Sequence, residues 1–180
     1  MLKKLFLIFV LAFIPLTANA ELYVDTKSQI QFEIPEGWRI LSDREKADLE
    51  ISMSSMYFLP TKMQNGFEAI RMDITKTTNG LFLSTNSGSR VLDSAKLWGD
   101  ALNTTKGHDL LETRPYSSPA GNGILAAYIT GDLFNLAHRI SSPKHSVHFQ
   151  YFTDRERLLP ETSKILDLCF PVINSIKFPE

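Results

Sequence analysis

Four histidines and one cysteine are the side chains of this 180-residue sequence best suited to nucleophilic or metal chemistry, and their spacing decides what each can do. Cys169 stands in "LDLCFPV", beside Phe170, on a stripe that Ile165, Val172, Ile173 and Ile176 form at helical spacing. A free thiol on such a stripe behaves as a small apolar group and is costly to ionise there, so a core role is expected in preference to a nucleophile. His138 and His148 pose a sharper question. If "LAHRI" and "SVHFQYF" form a hairpin closed by Ser141 to His145, Ile140 faces Ser146 and His138 stands opposite His148. The two rings then share a face with Cβ atoms about 5 Å apart. Joined by an acidic ligand, or by His145 at the turn, such a pair would suit Zn²⁺ or Cu²⁺. A change of one residue in the loop sends the rings to opposite faces. A structural pair is the preferred expectation, so no catalytic, cofactor-binding or metal-ligating residue is assigned and no cofactor is expected.

Other constellations carry less chemistry. "TNSGSR", residues 85–90, lacks the Gly-x-Ser-x-Gly spacing that exposes a serine on a strained elbow, and reads as a loop and helix start. Phosphate-cradling glycine motifs are absent from the sequence. The acidic side chains fall mainly on expected helix faces and turns, which does not place the paired carboxylates of glycosidic acid–base work. "DREK" at 43–46 and "DRER" at 154–157 mix signs closely and are expected to be solvated helix beginnings, with a docking patch as the other possibility. Asn103-Thr104-Thr105 is a glycosylation sequon, expected to be vacant in a bacterial protein.

The elements that must position these residues begin after a leader. "MLKKLFLIFVLAFIPLTANA" has basic Lys3 and Lys4, an apolar run from Leu5 to Leu16, and small residues at Ala18 and Ala20. That is the layout of a secretory signal peptide cleaved after Ala20. The run is shorter than the ~20 residues a spanning helix needs, and no later segment approaches that length. The mature chain, 21–180, is expected to be one soluble domain in the periplasm or secreted. At about 160 residues it is long enough to bury a real core. With 19 basic and 20 acidic side chains in the whole sequence, a nucleic-acid partner is not expected. One cysteine allows no intramolecular disulfide, so packing must supply stability.

Residues 22–25 and 29–34 read as two short strands, the second placing Ile30, Phe32 and Ile34 on one face. Pro35 and Gly37 end it and turn the chain, delivering Trp38 as a plug for the end of the sheet. Ser42 with Glu45 fits a capping box opening a helix through about Ile51. Asn-Gly pairs at 65–66, 79–80 and 122–123 signal tight hairpins. A helix from about Arg90 to Thr104 should bury Val91, Ala95, Trp98 and Leu102, with Leu92 alongside. The last helix should begin near Pro160, with Pro171 kinking or breaking it. Runs such as "GILAAYI", apolar on both faces, imply strands covered on both sides. The sum is an α+β fold, a three-layer α/β/α sandwich around a central antiparallel sheet.

These pieces, with "FEIPEGW" at 32–38 and "VINSIKF" at 172–178, resemble the PsbP-like α/β/α sandwich superfamily, which includes photosystem-II extrinsic, Ran-binding Mog-type and bacterial DcrB-type envelope proteins. The resemblance spans the mature chain in outline. It implies a non-enzymatic accessory or binding protein of the cell envelope, with another protein or a small envelope ligand as partner, docked on a loop edge or in a sheet–helix groove. No site residue is carried over from it. The alternatives are a small hydrolase or metal-dependent enzyme using Cys169 or a His138/His148 centre, and a periplasmic immunity protein.

Overall fold

The computed structural model describes residues 20–62, 66–77 and 88–179, with the backbone alone for 88–91 and 158–161. The leader up to residue 19, the Asn79-Gly80 pair and Asn65 lie outside it, as do the side chains of Val91 and Pro160. The chain opens with a hairpin of β1 (Glu21–Val24) and β2 (Gln31–Ile34), turned by the Asp25 carboxylate, which accepts hydrogen bonds from the N–H and hydroxyl of Ser28. The Trp38 N–H then donates to the Pro35 carbonyl across a tight turn in which Gly37 takes φ +76°, a conformation that favours glycine. β3 (Trp38–Ile40) follows, then the short helix α1 (Asp43–Asp48), whose Ser42/Glu45 capping box forms as the sequence predicts.

β4 (Met56–Pro60) and β5 (Glu68–Lys76) precede helix α2 (Gly88–Thr104). A continuous meander of β6 (His108–Ser118), β7 (Gly121–Thr130), β8 (Leu133–Ser141) and β9 (His145–Asp154) leads through a 3₁₀ turn (Arg155–Arg157) into helix α3 (Leu158–Ser175). The strands β3-β4-β5-β9-β8-β7-β6 form one antiparallel sheet in that order. The fold is α+β, and the helices lie on opposite faces. Because successive strand residues point to opposite sides, Ile124, Ala126 and Tyr128 of β7 meet Ala95, Trp98 and Leu102 of α2, while Leu125 packs with Ile165, Cys169 and Ile173 of α3.

The α3 side holds the main core. Ile30, Phe32 and Ile34 of the β1–β2 hairpin join it, and Phe32 meets Phe58 edge to face at 5.7 Å. Gln31 and Lys177 exchange backbone hydrogen bonds at 3.0 and 2.8 Å, tying the end of α3 to the hairpin. The expected break at Pro171 does not occur, and α3 runs through it. Pro171 is on the exposed side of the helix, where water can satisfy the carbonyl its missing N–H leaves free, while Val172, Ile173 and Cys169 anchor the opposite side. Two further expectations on α2 and α1 are corrected. Leu92 is exposed rather than part of the buried stripe, and Lys46 of "DREK" is buried, its ammonium 2.8 Å from Asp43.

The turn expected at Asn122-Gly123 lies earlier, at Pro119-Ala120, and Gly123 is instead inside β7. A Cβ there would approach the Arg139 carbonyl oxygen at 2.5 Å and Nε2 of His138 at 2.7 Å. Glycine is therefore required by close approach, not by a turn. In most strand interiors Gly→Ala raises stability. Here Gly123→Ala is expected to lower it by about 1–3 kcal/mol through forced backbone displacement, a loss that urea unfolding would show as a lower midpoint.

Candidate functional site

The site is built by the register of β8 and β9. Ser141 pairs with Ser146, Ile140 with Val147, Arg139 with His148 and His138 with Phe149. Ser142 sets this register, its backbone N–H donating to the His145 carbonyl at 2.7 Å and its hydroxyl accepting from the His145 N–H at 3.1 Å. The pairing differs by one residue from that expected, and the two imidazoles accordingly lie on opposite faces. His138 points into the α3 core, where the ring of Tyr116 meets it edge to face at 5.5 Å. His148 points toward α2. Neither a shared His138/His148 centre nor a role for His145 beside it is assembled, and among the described residues no group of three His, Cys, Asp or Glu side chains stands close enough to hold a metal ion.

Cys169 is fully buried in the α3 core, and burial, with the Glu68 charge adding to it, pushes its thiol well above the ordinary range. It stays protonated and apolar, as its stripe predicts.

On the α2 side, Asp73 of β5, His148 of β9 and Arg139 of β8 line up across three neighbouring strands. Trp98 comes down over them from α2, its ring 5.9 Å from the His148 ring and 5.1 Å from the Arg139 guanidinium carbon. Each group has a different state. The Asp73 carboxylate accepts the Ser55 hydroxyl at 2.5 Å and pairs with Nε of Arg71 at 2.9 Å, while Nδ1 of His148 stands 4.0 Å away. Burial, then the Arg139 charge, lowers the His148 pKa to about 4, against the opposing pull of Asp73. Arg139 is exposed, rests on Trp98, and has no carboxylate within ion-pair distance among the described residues. The Ser141 and Ser146 hydroxyls bond each other at 2.7 Å. These groups line a cleft of ≈ 710 Å³ between α2 and the sheet, with Leu97 and Lys76 at its edge.

Sequence reasoning missed this row. Trp98 reads there as a core residue, and no role is given to Arg71, Asp73 or Arg139. A trace was present: "RMDIT" alternates charged and apolar residues, which marks a strand with one polar face. Charge on a covered face calls for a polar destination.

Trp38 only partly fulfils its expected sealing role. It is half-buried against the main core, and it also lines a second groove, of ≈ 500 Å³, with Lys62, Glu68, Arg157 and Lys164. Glu68 is engaged there, accepting from the Tyr151 hydroxyl at 2.7 Å and from Arg157 at 3.4 Å. Of "DRER", Asp154 is structural, its carboxylate accepting the Phe67 N–H at 2.7 Å, while Arg155 and Glu156 are exposed as a solvated segment would be.

Comparison with known proteins places this architecture. No protein-family model and no curated protein sequence matches the chain. The fold itself is PsbP-like. It is similar to the solution structure of cyanobacterial PsbP (CyanoP) from Synechocystis sp. PCC 6803, with TM-score 0.56 and 19% identity over 90% of this chain and 94% of that one. It is also similar to the crystal structure of LpqN, involved in cell envelope biogenesis of Mycobacterium tuberculosis, with TM-score 0.53 and 15% identity over 89% of this chain and 91% of that one. Among the described residues no helix is long and apolar enough to cross a membrane.

The histidines set a pH dependence. Burial, with His148 adding to it, lowers the His138 pKa to about 4 as well, and neither of its ring nitrogens has a hydrogen-bond partner among the described residues. Both groups bind protons more weakly folded than unfolded, so acidification protonates the unfolded chain first. Their contribution is intact above pH 6.5 and is lost as the pH falls from 6.5 to about 4. The loss should amount to roughly 2–5 kcal/mol for the pair. His138→Leu is expected to remove about half of it, with stability at pH 7 unchanged or higher, as urea titrations at pH 7, 5.5 and 4.5 would read.

Proposed function

We propose that this protein is an exported, non-catalytic accessory or binding protein of the bacterial cell envelope, acting through the cleft between α2 and the sheet. One observation carries the reading: among the described residues the cleft gathers ionisable groups, but the hydroxyl held by its carboxylate, Ser55 on Asp73, is buried and not part of the lining. Asp73 is occupied by Ser55 and Arg71, the serine hydroxyls face each other, and His148 is a weak base. The only thiol is sealed on the opposite face of the sheet. Nucleophilic catalysis needs a hydroxyl or thiol that a substrate can reach, within hydrogen-bond distance of a group that takes its proton. Binding needs only a concave surface with a few directed polar groups, which this cleft has.

Export is supported by the leader's basic, apolar and small-residue layout. The PsbP-like fold and the described involvement of LpqN in cell envelope biogenesis support the envelope as the place of action. Expressed with its leader in a bacterial host, the chain is expected in the periplasmic or extracellular fraction with Glu21 as its first residue, as intact mass would establish. Cys169→Ser is expected to leave capture of the native partner unchanged. A hydrolytic activity in the wild-type chain that Cys169→Ser abolishes would overturn the non-catalytic reading.

A further inference from the structure

Resting on that reading of the cleft, we propose that it takes a small organic monoanion, a carboxylate on a flat apolar body, with the carboxylate on Arg139 and the body against Trp98 and Leu97. The cleft lining includes three cations, Arg71, Arg139 and Lys76, and one carboxylate, Asp73, in a chain whose overall formal charge is −1. Asp73 is committed to Arg71, and the two cancel. Arg139 remains the uncommitted guanidinium of the described cleft, its Cζ over the Trp98 ring at 5.1 Å from the centroid, a contact that does not use its N–H groups. Its planar fork matches the two oxygens of a carboxylate, and the contact with Trp98 restricts the side chain and so lowers the entropy lost on binding.

The surroundings favour an apolar body attached to that charge. Trp98 is half-buried and forms one wall, and Leu97, 69% exposed, stands beside it at the mouth. A leucine this exposed next to a tryptophan adds apolar surface where a ligand enters. The charge balance also bears on valence, since with Arg71 neutralised one guanidinium faces the ligand and Lys76 stands at the edge. That suits a single negative charge better than a phosphate dianion.

The chain has two tryptophans, so Trp38→Phe leaves Trp98 as the sole indole reporter. In that background, with indole N–H NMR shifts confirming the site, benzoate is expected to change Trp98 fluorescence saturably. Benzyl alcohol, its uncharged counterpart, should bind at least about tenfold more weakly, and Arg139→Gln should weaken benzoate by a similar factor while leaving benzyl alcohol unaffected. Arg39→Gln, an exposed arginine paired with Glu45 away from the cleft, should leave benzoate binding unchanged. Equal binding of benzoate and benzyl alcohol, or insensitivity to Arg139→Gln, would overturn the proposal. Tighter binding of phenyl phosphate than benzoate would replace the carboxylate by a phosphate. Silence of Trp98 toward all three probes would overturn it too, while the export and partner experiments judge the accessory role separately.

Discussion

The pairing of Ser141 with Ser146 is the constraint on which the site depends. A strand's side chains alternate faces, so one residue of slip at this hairpin would exchange His138 with Arg139 and bring every buried group on β8 to the wrong side. The hairpin resists that slip from both ends. At the loop, the backbone and hydroxyl of Ser142 engage His145, and Thr77, just past β5, donates its hydroxyl to the Ser142 carbonyl. Along the strands, His138 needs the space above Gly123, and Phe134 and Ile140 need the α3 core. Local turn chemistry and distant packing therefore specify the same register, which is the agreement between levels expected of a well-specified fold.

From this register follows an unequal sandwich. The α3 side is apolar and deep, with aromatic side chains from the β1–β2 hairpin, β4 and β9 packed under the helix. The α2 side is thinner. Alanines on β7 and β8 let α2 approach one half of the sheet, and Gly99 comes within 3.0 Å (measured from an ideal Cβ) of the Thr113 hydroxyl. Toward β5 and β9 the polar row of Asp73, His148 and Arg139 replaces apolar contact, and the helix–sheet interface opens into the cleft. The same helix thus closes a core at one margin and walls the cleft at the other. Burial stabilises the first, and the directed charges of the second are supported by it.

The architecture was largely legible in the sequence, because period-two alternation, the "FEIPEGW" corner, the Ser42–Glu45 cap and the Cys169 stripe each report a local physical preference. The terminal helix shows the limit of local rules. Pro171 weakens any isolated helix, yet here the buried stripe on the opposite side and solvent beside the proline outweigh that penalty. The site was much less legible. It depends on a hairpin register that differs by one residue from the simplest count, and on the non-local pairing of β5 with β9, which joins residues more than 60 positions apart. No motif announces that Asp73, His148 and Arg139 will stand in a row, since only the sheet order brings them together. Trp98 illustrates the same point: helical spacing marks it as buried, but not that one of its walls is charged.

The outermost strand carries a further consequence. β6 is the long free margin of the sheet, eleven residues whose unpaired side could template another chain. Its ladder shifts register between Leu110 and Glu112, placing Leu111 in an irregular step, and Pro115 interrupts the donors farther along. Arg114 and Glu112 form an ion pair on the same stretch. Kinked, missing a donor and charged, this margin makes a poor seed for fibrillar stacking. A protein with so extensive a sheet can thereby remain dispersed in a crowded compartment.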